Sequence, residues 1–452
     1  MGRIELDVRD YPIPPDVPMR LMPRLRALRT FHTGTGLIAA AGGPVTMVRF
    51  GPERIAPPFV VVTSPQGARD VLGGSDGAFD KEGLIHVESR ALGPNVFNMG
   101  HQPWLTRRRV LQPLFTKKQV ARYAGHMSGA AAALALEWVQ HPEIDLDQEC
   151  RRLTLRVIGR SVFGLDLGER AESLGPPIRR CLRYITGRAT RPVRAPSWLP
   201  TPARGQMRSS QAAIRSVIFE AIGAARKDPS RDAPLIHLLM ATPDPDTGRP
   251  LSDQAIADEL FAFLIAGHDT TATTLAYSLW AVGRDPVIQN RLAAEAADIG
   301  DRDPTVDDVP RLPNTVRVIH EAMRLCPPAA VVTRMTMRDT VVDGFRIKEG
   351  TNVMVGIYTL HRDPELWDQP ERFDPNRFAP EHSAGRDRWQ YLPFGGGPRT
   401  CIGDHFAMLE ATLGLASIIR TADITALNSE FPIDVPFTTT AAGPIPARLA
   451  TR

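Results

Sequence analysis

Apolar residues recur at helical spacing over much of this chain, and the strongest such run lies near its middle. From roughly Ser252 to Val282 almost every central position is apolar, and a helix hydrophobic on all faces is a buried one. At ~1.5 Å per residue it spans ~45 Å, enough to cross a whole domain. Phe406, Leu409, Leu413, Leu415 and Ile418 mark another helix from about Asp404, and Ser128 to Val139 reads as a third. Short strand candidates cluster at Val45 to Val48, Phe59 to Thr63, Thr340 to Ile347, Asn352 to Ile357 and after Ile433. The pattern predicts a mainly α architecture with small β-sheets.

Two interruptions of this pattern carry chemistry. Ala266-Gly267-His268-Asp269-Thr270-Thr271 places a glycine, an acid and two hydroxyls in the middle of the buried helix, where propensity disfavours them, so something else must offset the cost. Phe394-Gly395-Gly396-Gly397-Pro398-Arg399-Thr400-Cys401-Ile402-Gly403 puts a single cysteine on a small-residue loop at the start of the last helix. That arrangement suits a thiolate offered to a haem iron, an anionic ligand that favours O–O cleavage over reversible dioxygen binding. Gly395, Gly396, Gly397 and Gly403 are expected to let the backbone approach a flat macrocycle. The helix N-terminus should favour thiolate over thiol at Cys401. Arg399 suits a haem propionate, and Phe394 would shield the sulfur from water.

The pattern F-x-x-G-x-R-x-C-x-G resembles the haem-ligand signature of the cytochrome P-450 family, and four further motifs agree in chain order. The resemblance extends over essentially the whole chain. It implies the cytochrome P-450 fold, haem b as cofactor and Cys401 as axial ligand to its iron. Ala266 and Gly267 would then face the distal pocket, Asp269 would relay protons and Thr270 would hydrogen-bond the iron-bound oxygen. Glu321 and Arg324, at helical spacing before Leu325-Cys326-Pro327-Pro328, resemble the start of a structural brace behind the haem. Arg372 and Arg377 both offer a third member; the text from His361 onward aligns better with Arg377. Trp104 with Arg108, and Arg334, match positions that bind haem propionates, while His101 is left open.

Length and composition refine this reading. The motifs that must converge run from Trp104 to Cys401, so the 452 residues are expected to form one haem-thiolate monooxygenase domain, 1–452, with no fused reductase domain. Electrons from NAD(P)H would come through a separate reductase and a ferredoxin or flavodoxin, steered by Arg107, Arg109, Lys117 and Lys118 near the thiolate face. Cys150, Cys181, Cys326 and Cys401 form no disulfide-like framework, and the N-terminal stretch holds no long apolar run. A soluble, cytoplasmic monomer without nucleic-acid partners is expected. Between Glu172 and Glu220 there is no acidic residue but many arginines, Arg188, Arg191 and Arg194 among them. In the family this position is the lid over the substrate channel, which suggests contact with an acidic lipid or carrier protein.

The implied activity is hydroxylation or epoxidation, with O2, of a hydrophobic small molecule: lipid, terpenoid, steroid or polyketide-like. Phe263, Leu264, Val331, Val332 and the stretch from Ile85 to Phe97 are expected around it. A peroxide-driven or non-redox haem-thiolate enzyme would share the cysteine loop, but the Asp269-Thr270 pair argues for dioxygen. A haem-based sensor would bind without turnover. Cys401 and His405, one helical turn apart, would suit zinc only with a further pair of ligands.

Overall fold

The computed structural model describes residues 7–53, 56–191, 195–196, 198–244 and 248–452. The helices that build the site are α1 (Leu84–Ser89), α2 (His101–Leu111), α3 (Ala124–Trp138), α4 (Leu146–Ile158), α5 (Ala171–Ala189), α6 (Pro202–Lys227), α7 (Asp253–Val282), α8 (Pro313–Leu325) and α9 (Asp404–Thr421). A five-stranded sheet comprises β1 (Val45–Val48), β2 (Phe59–Val62), β3 (Phe79–Asp80), β4 (Val332–Thr336) and β5 (Asn352–Val355) in the order β1-β2-β5-β4-β3. Its pairs are antiparallel except β2 with β5.

Local chemistry sets several of these boundaries. Ser252 caps α7 by accepting the Ala255 N–H at 3.2 Å, and Thr201 caps α6 just before Pro202 at its first position. The apolar faces of α3, α4, α7, α8 and α9 meet in one large core containing Met127, Leu134, Leu153, Leu275, Ala322 and Leu413. Trp138 is buried there with its indole N–H donated to Glu149 at 2.6 Å. A smaller core of Val60, Val62, Val353, Val355 and Trp389 lies under the sheet. Among the described residues, no helix is long and apolar enough to cross a membrane.

Two expectations need correction. The stretch from Thr340 to Ile347 is a hairpin, Thr340–Val342 with Phe345–Ile347, because Asp343 and Gly344 take φ of +46° and +80° and close a two-residue turn. The acid-free segment is the pair α5 and α6, and several of its arginines point inward. Arg188 holds Glu88 of α1 through bonds of 2.5 and 3.2 Å, Arg215 bridges the Leu92 carbonyl and Asp258 of α7, and Arg204 caps the carbonyls of Pro196 and Leu199. Arg183, Arg191 and Arg208 face outward; Arg194 lies outside the described residues. Arg188, Arg204 and Arg215 are therefore engaged inside the fold rather than at its surface.

Behind the cysteine loop sits a buried ion pair. Glu321 and Arg324 of α8 are fully buried and joined by two bonds of 2.8 Å. Arg324 spends its remaining donors on the carbonyls of His361, Pro370 and Arg372, and Glu321 also accepts the Asp374 N–H. Arg377 comes within 3.4 Å of Glu321, whereas Arg372 contributes its backbone. His361 passes the arrangement on: its carbonyl accepts from Arg324 and its Nε2 accepts the Leu392 N–H at 2.8 Å, just ahead of Phe394. Burial and the neighbouring guanidiniums of Arg324 and Arg362 lower the His361 pKa to about 3, so the ring is neutral and free to accept.

Truncating one partner strands the other charge in a dry interior, a loss of ~3–5 kcal/mol. Arg324→Met is expected to lower the denaturation midpoint strongly, while Arg372→Ala, whose side chain is exposed, leaves it within ~0.5 kcal/mol. Equal midpoints for the two variants would contradict this account.

Candidate functional site

The helix α7 is buried along almost its whole length, yet Ala266 is exposed and Ala262, Gly267 and Thr270 are partly so. Ala262, Ala266 and Thr270 lie one helical turn apart and form an accessible strip. The space in front of it is bounded by linked side chains. Asp269 accepts the Thr438 hydroxyl at 3.1 Å, Phe437 packs on Phe97 at 5.6 Å, and Lys81 lies 4.3 Å above the Phe97 ring. Lys81 in turn acts electrostatically on Cys401.

Cys401 is held by its loop. Its N–H donates to the Phe394 carbonyl at 3.0 Å, and the same carbonyl accepts the Thr400 hydroxyl at 3.3 Å. Gly395 and Gly397 take φ of +70° and +69°, a region only glycine enters cheaply. The other reason for the glycines differs from expectation. A Cβ at Gly396 would collide with the Trp389 ring and one at Gly397 with the Leu72 carbonyl, so these two make room for protein. A Cβ at Gly395 or Gly403 would meet nothing within 4 Å. At Gly267 the missing Cβ admits Ile158 of α4. That glycine seats one helix on another.

The loop also fails to favour thiolate by itself. Cys401 is accessible to a water-sized probe yet enclosed by protein, and for its ionisation the enclosure dominates. Burial pushes the thiol up, outweighing the Gly403 N–H and the Arg108 and Lys81 cations that pull the other way. A metal bound at Cys401 would supply the deprotonation, since coordination removes a thiol proton outright.

Beside the thiol the chain gathers basic groups. Arg399 donates to Asp80 at 2.7 Å and to the Met99 carbonyl at 2.9 Å, and its guanidinium lies 4.1 Å from the Trp104 ring. Arg334, on β4, is buried and donates to the Thr333 carbonyl at 2.9 Å, and burial beside Arg399 lowers it to about 10. Lys81 is buried and donates to the Phe97 carbonyl at 2.8 Å; burial and then Arg334 and Arg399 push it well below the usual lysine range. Three basic side chains thus surround one carboxylate, Asp80. A ligand carrying two carboxylates, as haem does, would complete the balance.

Lys81 and Asp80 were missed by sequence reading, because Phe79-Asp80-Lys81 carries no motif and its neighbours arrive from β4 and the cysteine loop. Trp104 and Arg108 are not joined as anticipated. Trp104 supports Arg399, whereas Arg108 donates to the Thr400 carbonyl at 3.1 Å and to Gln112 at 3.0 Å, so it braces the loop from the other side. His101 donates its backbone N–H to Asp80 at 2.7 Å. Arg107 is not part of a surface patch: it is buried and paired with Glu259 of α7 at 3.2 Å, while Arg109, Lys117 and Lys118 are exposed. Leu264 faces the core, and Phe263 stacks on Phe115.

On α7, the Thr270 hydroxyl donates to the Ala266 carbonyl at 2.6 Å. Asp269 points elsewhere. It is buried, paired with Arg151 of α4 and bonded by Thr438, and these partners hold its carboxyl below the usual range despite burial. Asp269 is therefore an anchored carboxylate, ionised at neutral pH. Among the described residues no cluster of three or more His, Cys, Asp or Glu side chains could hold a free metal ion, and the zinc reading of Cys401 with His405 finds no ligand set.

The sequence matches the family described as Cytochrome P450 over residues 29–443. It is 34% identical to cyclooctatin synthase of Streptomyces melanosporofaciens, covering 84% of this chain and 82% of that protein. It is 31% identical to the cyclooctat-9-en-7-ol 5-monooxygenase of the same organism (84% and 82% covered) and 31% identical to pentalenene oxygenase of Streptomyces avermitilis (85% and 85%). With the thiol loop, the accessible strip of α7 and the buried pair behind them, this chain belongs to the cytochrome P450 family and is a haem monooxygenase.

Proposed function

We propose that the chain binds haem b between α7 and the cysteine loop and hydroxylates or epoxidises a terpenoid. What carries this reading is the accessible thiol of Cys401 on the loop before α9, with Lys81, Arg334 and Arg399 gathered near it, and the accessible strip on the otherwise buried α7. Cys401 would ligate the iron; Arg334, Arg399 and Lys81 would take the carboxylates, with Trp104 backing Arg399. Arg108 and Phe394 fix the loop, Gly403 directs its N–H at the sulfur, and Ala266 leaves the opposite face open. When bound, haem supplies the activation of dioxygen and its insertion into a C–H or C=C bond.

The remaining work belongs to the protein. Thr270 is positioned to accept and pass a proton at its hydroxyl, which its present bond to the Ala266 carbonyl keeps on the cleft side of α7. Asp269 fixes the pitch of that turn through Arg151 and Thr438. Phe97, Phe437, Val331 and Val332 offer apolar surface that excludes water and suits a hydrocarbon skeleton. Relatives named for cyclooctatin, cyclooctat-9-en-7-ol and pentalenene point to cyclic terpenes. Electrons are expected from NAD(P)H through a reductase and a ferredoxin or flavodoxin docking near Arg109, Lys117 and Lys118.

Three outcomes are expected. Reduced protein with carbon monoxide should show the red-shifted Soret band of a thiolate-ligated haem, and Cys401→Ala should lose it; a variant retaining the band would remove the basis of this reading. Lys81→Met should speed haem transfer to apomyoglobin about ten- to a hundredfold, the worth of a charged hydrogen bond of ~1.5–3 kcal/mol, yet leave haem-free protein as stable or more so, since like charges are relieved. A variant destabilised with and without haem would make Lys81 merely structural. Cyclooctat-9-en-7-ol or pentalenene should shift the ferric spin state by displacing water from the iron. A response only to steroids or fatty acids would exclude the terpenoid assignment.

A further inference from the structure

Glu259 lies two helical turns before Ala266 on α7, and at roughly 3.6 residues per turn it falls within about 20° of Ala266 and Thr270 around the helix. The accessible strip therefore ends, on its N-terminal side, in a fully buried carboxyl group. The loop 93–98, between α1 and α2, docks on it. The Val96 N–H donates to Glu259 Oε2 at 3.1 Å, and Arg107 of α2 approaches Oε1 at 3.2 Å. Burial raises the carboxyl to about 7 against the pull of Arg107 and the Val96 N–H, and in either protonation state one oxygen remains to hold Val96.

Asp258, one residue earlier, fastens the same loop from a second direction. A Cβ on Gly93 would fall 2.2 Å from the Asp258 carboxyl carbon, and Gly93 takes φ of +102°. Arg215 of α6 bonds both Asp258 and the Leu92 carbonyl, the latter at 2.8 Å. Between these fastenings the loop is closed on itself. The Asn95 and Asn98 side chains, 3% and 1% exposed, both donate to the Gly93 carbonyl at 3.0 Å and accept the Phe97 and Asn95 N–H groups at 3.0 Å. Such a loop moves as one body, so the bond at Val96 sets where Phe97 stands. The Phe97 ring is 36% exposed and lies 5.6 Å from Phe437.

We propose that Glu259 is a positioning residue for substrate selection: through Val96 it fixes Phe97 as a wall of the substrate space, and Asp258 keeps that wall in register along α7. The inference rests on the proposed terpenoid monooxygenase reading, in which Phe97 offers apolar surface to the substrate. A wall fastened at two consecutive residues of a buried helix retreats from a bulky guest only by breaking a buried hydrogen bond, whereas a free phenyl ring would merely change rotamer. Shape is then selected ahead of chemistry. A rigid ring system that fits is held in one orientation and oxidised at one carbon, while a released Phe97 admits several orientations.

The test uses haem-loaded full-length protein, with loading checked by the carbon monoxide band because Lys81 bonds the Phe97 carbonyl at 2.8 Å. With a ferredoxin, its reductase and cyclooctat-9-en-7-ol as probe, native protein should give one main product. Glu259→Ala should raise the Kd read from the spin-state change about three- to tenfold, the worth of one hydrogen bond, and spread oxidation over several carbons. Glu259→Gln keeps an oxygen for Val96, so its Kd should stay within about twofold of native and its product pattern should be the native one. Gly93→Ala drives a Cβ into Asp258 without stranding Arg107 and should reproduce the Glu259→Ala pattern, which decides the matter if Glu259→Ala fails to load haem. An unchanged Kd and a single product in both alanine variants overturn the proposal. Equal damage in Glu259→Gln and Glu259→Ala overturns it too, leaving Glu259 a structural charge. Native protein that leaves the probe unoxidised overturns the terpenoid monooxygenase reading and the proposal with it.

Discussion

The structure depends on holding irregular chain still. From Gly356 to Gly403 only short helical turns interrupt the loops, yet this stretch must present one sulfur in a fixed place. The Glu321 and Arg324 pair does so by satisfying backbone rather than by attracting other side chains. Three carbonyls and one N–H from the stretch end on it, and His361 relays the constraint to the cysteine loop. A buried pair is weak as a source of net stability, since desolvation offsets its attraction. Its value here is specificity: alternative courses of the loop would leave those backbone groups, or the charges themselves, unpaired.

The second constraint is electrostatic and has the opposite character. Where the brace is saturated, the cluster of Lys81, Arg334, Arg399 and Asp80 is short of negative charge, and its bases are pushed below their ordinary values by burial, Lys81 and Arg334 also by neighbouring guanidiniums. In the reading proposed above, a dianionic group would relieve this cluster, so that the scaffold is saturated at Glu321 and in deficit near Arg399.

How much of this was legible in the sequence follows from the distance over which each contact is made. Elements with their own periodicity or cap could be read directly: α7 from Ser252, α9 after Gly403, and the short apolar strands. Cys401 and the pair Glu321 with Arg324 lie in local patterns and were legible too. What escaped is tertiary. Lys81 and Asp80 acquire meaning only when β3 pairs with β4, Arg107 meets Glu259 across 152 positions of chain, and His361 links two loops through a ring nitrogen. The glycines show the same limit in reverse. Gly267, Gly396 and Gly397 stand out in the sequence, but the bodies at their missing Cβ positions are Ile158, Trp389 and Leu72, which no local pattern names.

The two acids on either side of α7 show how one helix separates opposite protonation states. Asp269 and Glu410 are equally buried, yet Asp269 has a guanidinium and a hydroxyl and stays ionised, while Glu410 has no cation and stays neutral. Asp269 is fixed by its ion pair and hydroxyl partner, whereas burial without a nearby cation favours the neutral form of Glu410. Thr270 and Thr271, consecutive on the helix, sit between these fates. The costly polar turn in the middle of a buried helix is then explained by what lies on both of its sides.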